Sequence, residues 1–376
     1  MRRHYLDHAS TSPLRPEAAA AMREWLDSPA GDPSRVHEEG RAVREAIELA
    51  RAQVAELLGA RPRQVVFTSG ATESIHAAVW GATWDHPGMP VLCAGVEHSS
   101  VRDSSARLAP VVDLPVDACG RIDPEAVDAA LRGTGGAVSL VHCQSANHEV
   151  GTTQPVGDVV ERCRRARVPV HVDAAAACGH VELVLDEDGP DFTSVSAHKL
   201  GGPPGVGALV LRRGVRTEPL FVGGQQERAR RAGMENVCGI VGFGAAAAAL
   251  SGGARTTEAA EARARTDRLA ATVLAETGSV QVGDPADRVP HIVCFGIEGI
   301  EAEPVLLGLD RAGIAVHSGS ACASESLEPS PVLAAMGADP NHSLRLSVGW
   351  STSDDDVVAF AAAFGRTVAQ LRALRA

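Results

Sequence analysis

Lysine is almost missing from this 376-residue chain: of 35 lysine and arginine residues, Lys199 is the only lysine. Positive charge is short as well, and a net charge of -12 at pH 7 argues against nucleic acid and other polyanions as ligands. No apolar run approaches the about 20 residues a membrane helix needs, and the opening MRRHYLDHAS lacks the apolar core of a signal peptide. These absences lead us to expect a cytoplasmic protein with no membrane partner. The cysteines (93, 119, 143, 163, 178, 238, 294, 322) contain no CxxC pair and no regular spacing, which excludes a disulfide framework and a zinc ribbon. There is no internal repeat, no low-complexity linker and no GxxxxGK[ST] nucleotide loop.

What is present is the patterning of a large enzyme core. The length exceeds what one core usually holds, so two domains are expected, a large one over 15–252 and a smaller one over 253–376 that also takes in 1–14. Short apolar runs at 65–70, 91–96, 138–143, 168–174, 192–199 and 206–213 alternate with Ala/Arg/Glu-rich stretches such as 41–58 and 155–167. That alternation predicts an α/β fold whose mostly parallel sheet is covered by helices, with ligands beyond the carboxyl ends of the strands. Residues 239–276 predict helix with a break at Gly252–Gly253. Beyond them, strands at 290–298 and 314–317 and helices at 301–312, 329–337 and 354–375 predict a smaller α+β unit.

The lone lysine falls at a strand end, in DFTSVSAHKLGGPPGVGALVLRR (191–213). Arginine stays protonated and cannot supply the deprotonatable primary amine that forms an imine with an aldehyde. A chain otherwise given to arginine has therefore kept a lysine where Schiff-base chemistry needs one, which points to pyridoxal 5'-phosphate (PLP). Upstream, VPVHVDA ends in Asp173, an acid able to keep a pyridinium nitrogen protonated; an aspartate at that place also serves as a helix N-cap. FTSGATES (67–74) turns from strand into helix, so the backbone of Gly70 and Ala71, with Thr72, can cradle a phosphate, although such turns are common. His98 in GVEHSS can stack on a flat ring and move protons, or be structural. Asn147 follows the next strand, and all these groups converge on one sheet edge.

Nine motifs in chain order now resemble the cysteine desulfurases of the NifS/IscS group, within the fold-type I, class V aminotransferase-like PLP enzymes. They are YLDHASTSPLRP (5–16), TSGATES (68–74), EH (97–98), ANHEVGTTQP (146–155), HVDA (171–174), SAHKLGGPPGVGAL (196–209), GGQQERARRAG (223–233), SGSACASESLEPSPVLAAMG (318–337) and SLRLSVG (343–349). The resemblance runs nearly the whole length. It implies conversion of L-cysteine to L-alanine, with Lys199 as the Schiff-base lysine, His98 assisting proton transfer, and Cys322 carrying a persulfide to a sulfur-acceptor protein. It implies PLP contacts from Gly70, Ala71, Thr72, His98, Asn147, Asp173, Ser196 and His198, substrate contacts from Asn147 and Arg345, and a homodimer. Local context agrees at two of these positions. Cys322 is flanked by small residues suited to a mobile loop, and a planar arginine such as Arg345 suits a carboxylate.

Two positions depart from the family pattern. Where DAAQ is usual this chain has Asp173-Ala174-Ala175-Ala176, and where RSGT is usual it has Arg231-Ala232-Gly233-Met234. The resemblance would place the missing glutamine against the PLP phenolic oxygen and the missing threonine against the partner subunit's PLP phosphate. Each lost hydrogen bond to a charged group is worth about 1.5–3 kcal/mol. Two other readings stay open: a different PLP reaction (lyase, transaminase or epimerase) in which Cys322 is dispensable, and a non-enzymatic scaffold with no cofactor on Lys199. The motifs leave the acceptor's pathway open among iron–sulfur assembly, tRNA thiolation, cofactor synthesis and a dedicated biosynthesis.

Overall fold

The computed structural model describes residues 3–27, 31–183, 185, 188–318 and 329–374. Its strands, in chain order, are β1 (His4–Tyr5), β2 (Val65–Thr68), β3 (Val91–Ala94), β4 (Val111–Leu114), β5 (Leu140–His142) and β6 (Val170–Asp173). They continue with β7 (Phe192–Ser196), β8 (Gly207–Leu211), β9 (Ser279–Val282), β10 (Ile292–Ile297), β11 (Ile314–Ala315) and β12 (Ser343–Ser347). Seven of them form one sheet in the order β2-β8-β7-β6-β5-β3-β4. The β7–β6, β6–β5, β5–β3 and β3–β4 pairs are parallel, and β8 runs antiparallel to both its neighbours. This is the expected α/β architecture with a mostly parallel sheet.

The strands read as continuous apolar runs because both faces of the sheet are covered. Adjacent residues of β2 show this directly: Phe67 packs into one core with Ile47, Val54 and Phe243, and Val66 into another with Ile75, Val79 and Leu209. All six strand runs of the large sheet expected from sequence are present. The seventh strand, β4, was not legible: its short run lies between Pro110 and Pro115 at the sheet edge, where only Leu114 is buried. The helical stretch breaks as expected, into Val237–Ala248 and Ala254–Leu274, around Gly252 (φ 60°) and Gly253 (φ 91°). Glycine takes that left-handed backbone at little cost.

The second sheet is antiparallel, in the order β12-β10-β9, and its core holds Phe295, Leu344, Phe360 and Phe364. Leu6 joins that core, and β1 pairs in parallel with β11. The chain's first described residues are thereby anchored on the second sheet. The next few reach back toward the first one, and that crossing shapes the site.

Candidate active site

The carboxyl ends of the parallel strands open on a cavity of about 480 Å³. Gly70, Ala71 and Thr72 follow β2, His98 follows β3, Asp173 ends β6, Ser196 ends β7, and His198 and Lys199 follow it; all line the cavity, with Arg345 arriving from β12. The turn after β2 closes tightly on β8, the neighbour of the lysine-bearing strand. A Cβ on Gly207 would lie 2.5 Å from Val195 O and 2.7 Å from Gly70 Cα, so only bare backbone fits there. Gly70 offers no side-chain cap to the helix Ala71–Thr83. Its first-turn N–H groups are thus left to face an anion.

Lys199 leaves β7 on one 3-10 turn, Ala197–Lys199. Its Nζ donates to the carbonyl of Ser10 at 3.0 Å and to that of Ala9. Thr11 Oγ1 lies 3.1 Å from His198 Nδ1, and Ser12 Oγ donates to the Lys199 carbonyl at 3.1 Å. Ala9 and Ser10 therefore line the cavity beside the lysine, with Thr11 and Ser12 bonded just behind them, a role the sequence reading did not give these residues. The signal available was a run of hydroxyl side chains, Ser10-Thr11-Ser12, within the first matched motif. Burial, then the neighbouring Lys199, pushes the His198 imidazole down to a pKa of about 4, which keeps it neutral at pH 7.

Asp173 faces the cavity while almost buried, and its Oδ1 accepts the Ala175 N–H at 2.9 Å. It is not a helix N-cap, because a turn over 175–177 follows it. Burial raises its pKa, while the Ala175 N–H and the nearby His98 and Lys199 act to lower it. A second buried acid, Glu97, accepts the Gln144 N–H at 2.7 Å through Oε1, and its Oε2 has no hydrogen-bond partner among the described residues. Burial first, then the charge of Asp173, pushes Glu97 up to about 8. Glu97 is thus mostly protonated at pH 7. The two acids stand together because β3 and β6 flank β5 in the sheet.

His98 caps the helix Ser99–Leu108: its Nδ1 accepts the Ser100 N–H at 3.1 Å. With Nδ1 accepting, the neutral ring carries its proton on Nε2. The ring of His148 meets it edge-on, 4.9 Å between centroids. His148 and Gln144 both line the cavity and were not singled out by the sequence reading. Asn147 was, and the structure does not bring it to the cavity. Its Nδ2 donates to Val96 O at 3.0 Å and its Oδ1 accepts the N–H groups of Glu149 and Val150, so its side chain shapes the turn after β5.

Arg345 is 1% exposed. Its Nη1 donates to His148 O at 3.0 Å, and its Nη2 donates to Asp7 Oδ1 at 2.9 Å and Ser10 Oγ at 2.7 Å, leaving Nε with no partner among the described residues. Cys322 lies outside the described residues. The chain on either side of 319–328 is tied to the cavity's surroundings. The Arg345 N–H donates to His317 O at 2.8 Å, and Ser330 Oγ donates to Glu149 Oε2 at 2.6 Å.

These groups fit PLP. The uncapped helix start suits a phosphate, Asp173 a ring nitrogen, His98 a flat ring face and Lys199 an aldehyde, and the volume is that of a small-molecule pocket. Ala176 lines the same wall with no polar atom beyond its backbone, and Met234 is 60% exposed. A larger cavity of about 580 Å³ surrounds Arg51 and Glu227, but it holds none of these groups. Among the described residues there is no cluster of three metal-ligating side chains and no helix long and apolar enough to cross a membrane.

Comparison with known proteins agrees with this geometry. The family model "Aminotransferase class-V" matches residues 4–360. A protein of Cereibacter sphaeroides named cysteine desulfurase is 40% identical over 385 residues, covering 100% of this chain and 98% of that one. A protein of Dictyoglomus turgidum named cysteine desulfurase IscS is 37% identical over 382 residues, covering 98% and 95%. The crystal structure of a NifS-like protein from Rickettsia africae superposes with a TM-score of 0.89 at 26% identity, covering 98% of this chain and 100% of that one. The chain belongs to the class-V aminotransferase family and, within it, to the cysteine desulfurases.

Proposed function

We propose that this chain is a PLP-dependent cysteine desulfurase that converts L-cysteine to L-alanine and passes the sulfur, as a persulfide on Cys322, to an acceptor protein. The observation that carries this is the meeting of a primary amine, Lys199, and a buried guanidinium, Arg345, on one cavity wall. An α-amino acid presents an amine and a carboxylate together: an aldehyde cofactor held at Lys199 would take the amine and Arg345 the carboxylate. PLP, when bound, supplies the electron sink for bonds broken at the substrate's Cα.

Each residue then has a defined task. Lys199 is the amine that attaches the cofactor and accepts the Cα proton, and the N–H groups at the start of helix Ala71–Thr83 hold the phosphate. Asp173 keeps a proton on the ring nitrogen, while Glu97 holds its own proton so that the two acids do not both ionise. His98, with Nδ1 committed to its helix, presents Nε2 for proton movement. Arg345 receives the substrate carboxylate. The Cys322 thiolate would attack the substrate sulfur: an S–S bond forms, the Cβ–S bond breaks with its electron pair staying on carbon, Cβ is protonated, and Lys199 returns the Cα proton to give alanine.

A homodimer, a cytoplasmic location and an acceptor serving iron–sulfur assembly or tRNA thiolation complete the reading. The exposed neighbours Phe221 and Val222, with the exposed Met234, support self-association. The test is a single turnover of PLP-loaded protein with L-cysteine and no acceptor. One alanine per site and a one-sulfur mass gain on the peptide holding Cys322 are expected. Alanine formation by Cys322→Ser at the unaltered rate would overturn the persulfide step and favour another PLP reaction.

A further inference from the structure

Arg345 already meets an acid before any ligand arrives. Its Nη2 donates to Asp7 Oδ1 at 2.9 Å and to Ser10 Oγ at 2.7 Å, and the Ser10 hydroxyl donates to that same Asp7 oxygen at 2.9 Å. Arg345 lines the cavity and Asp7 does not. The acid therefore reaches the guanidinium without occupying the space a ligand would fill, and the Arg345 Nε has no partner among the described residues.

The Asp7 charge is not what keeps Arg345 in place. The Arg345 backbone lies in β12 opposite Cys294 of β10, and its N–H donates to His317 O at 2.8 Å. Its side chain is held on Nη1 by His148 O at 3.0 Å and on Nη2 by Ser10 as well as by the acid. Asp7 is fixed too, since its carbonyl accepts from the Tyr5 hydroxyl and from the Ser10 N–H, both at 3.1 Å. An asparagine in its place can accept the same two hydrogen bonds through Oδ1, so the positions survive and only the charge goes. That charge partly neutralises a buried guanidinium and sets a like charge close to any carboxylate that binds there. Without it, the guanidinium stands uncompensated until a ligand carboxylate arrives, and the ligand gains what Asp7 now takes.

We infer that Asp7, acting through Arg345, is a built-in counter-ion that weakens the site's hold on α-carboxylates and so lets the amino-acid product leave. L-Cysteine and L-alanine carry the same α-carboxylate, so a grip tight enough to retain the first also retains the second. The inference rests on Arg345 being the carboxylate site, as the proposed function has it.

The experiment titrates PLP-loaded wild type, Asp7→Asn, Asp7→Ser and Arg345→Ala with L-alanine and with ethylamine, which is L-alanine without its carboxylate, and follows binding by calorimetry. Asp7→Asn is expected to lower the Kd for L-alanine roughly 10-fold and leave ethylamine within about 2-fold. Asp7→Ser, a second charge-free variant, is expected to shift L-alanine in the same direction. In turnover, KM for L-cysteine falls and inhibition by L-alanine tightens, a gain that damage to the site does not produce. Unchanged or weaker L-alanine binding by the charge-free variants, equal tightening of both ligands, or failure of both variants to fold overturns the proposal. Unimpaired L-alanine binding by Arg345→Ala instead removes the carboxylate assignment beneath it.

Discussion

The imidazole rings of His180 and His291 stack face to face behind Lys199, 3.5 Å between centroids and 14° from parallel. His180 Nε2 lies 3.4 Å from the Lys199 carbonyl, and His8 Nδ1 lies 2.9 Å from Ser12 Oγ, the hydroxyl that donates to that same carbonyl. Burial pushes His8 to about 3 and His180 to about 4, and it holds His291 well below its usual value. The folded chain therefore binds fewer protons than the unfolded chain once the pH drops below about 6.5. Stability is fully present above that pH and is lost as the pH falls toward the folded values, by about 1.4 kcal/mol per pH unit for each histidine. Glu97, raised to about 8, opposes this by one proton. Thermal unfolding should show Tm falling steeply from pH 6.5 to 5.5, and a His180→Gln/His291→Asn variant should flatten that slope. A Tm unchanged down to pH 5.5 would count against it.

His98 has Nδ1 tied to its own helix, and its Nε2 proton is the one it can move. His98→Ala should lower kcat by about 10²- to 10⁴-fold, the usual worth of a positioned acid–base group. His98→Asn can still cap the helix and so should keep the wild-type Tm while showing the same kinetic loss. Steady-state rates and melting curves on the two variants separate the roles.

Lys199→Arg keeps the charge and removes the deprotonatable amine. Borohydride treatment of the PLP-loaded wild type should fix the cofactor's mass onto the peptide holding Lys199, and the variant should gain nothing. Peptide mass spectrometry decides the matter without any turnover. A cofactor adduct on the variant would place the attachment elsewhere.

Arg51 and Glu227 form a two-pronged ion pair, 2.7 and 2.8 Å, with both side chains 3% exposed; the Phe67 N–H also donates to Glu227 at 2.9 Å. This pair holds a strained turn in which Glu227, Arg228 and Ala229 have φ of 49°, 60° and 61°. Glu227→Ala leaves a guanidinium buried without its counter-charge and should cost about 3–5 kcal/mol of stability. Arg51→Met combined with Glu227→Leu should recover much of it. Chemical denaturation of the two variants beside wild type measures both quantities.

Most of the large sheet was legible because its strands are apolar on both faces and end in the polar residues that make the cavity. Lys199 and Asp173 stood out for the same reason, as reactive groups at the ends of buried runs. Contacts between chemically plain residues and distant partners were not legible. Ser10 and Asp7 meet Arg345 only because β1 pairs with β11 and Asp7 bridges to Ser347 of β12, and no local pattern in residues 5–12 announces that. The turn hydrogen bonds of Asn147, another strand-end residue, were equally illegible, because they depend on how the chain folds back after β5.

The wall built from Ala9, Ser10 and Arg345 joins segments made at opposite times during synthesis. No portion of the chain that stops short of β12 contains the whole pocket, however well its large sheet has formed. The cofactor's groups, all from the large sheet, are complete well before the carboxylate site, which waits until the ribosome has delivered β12.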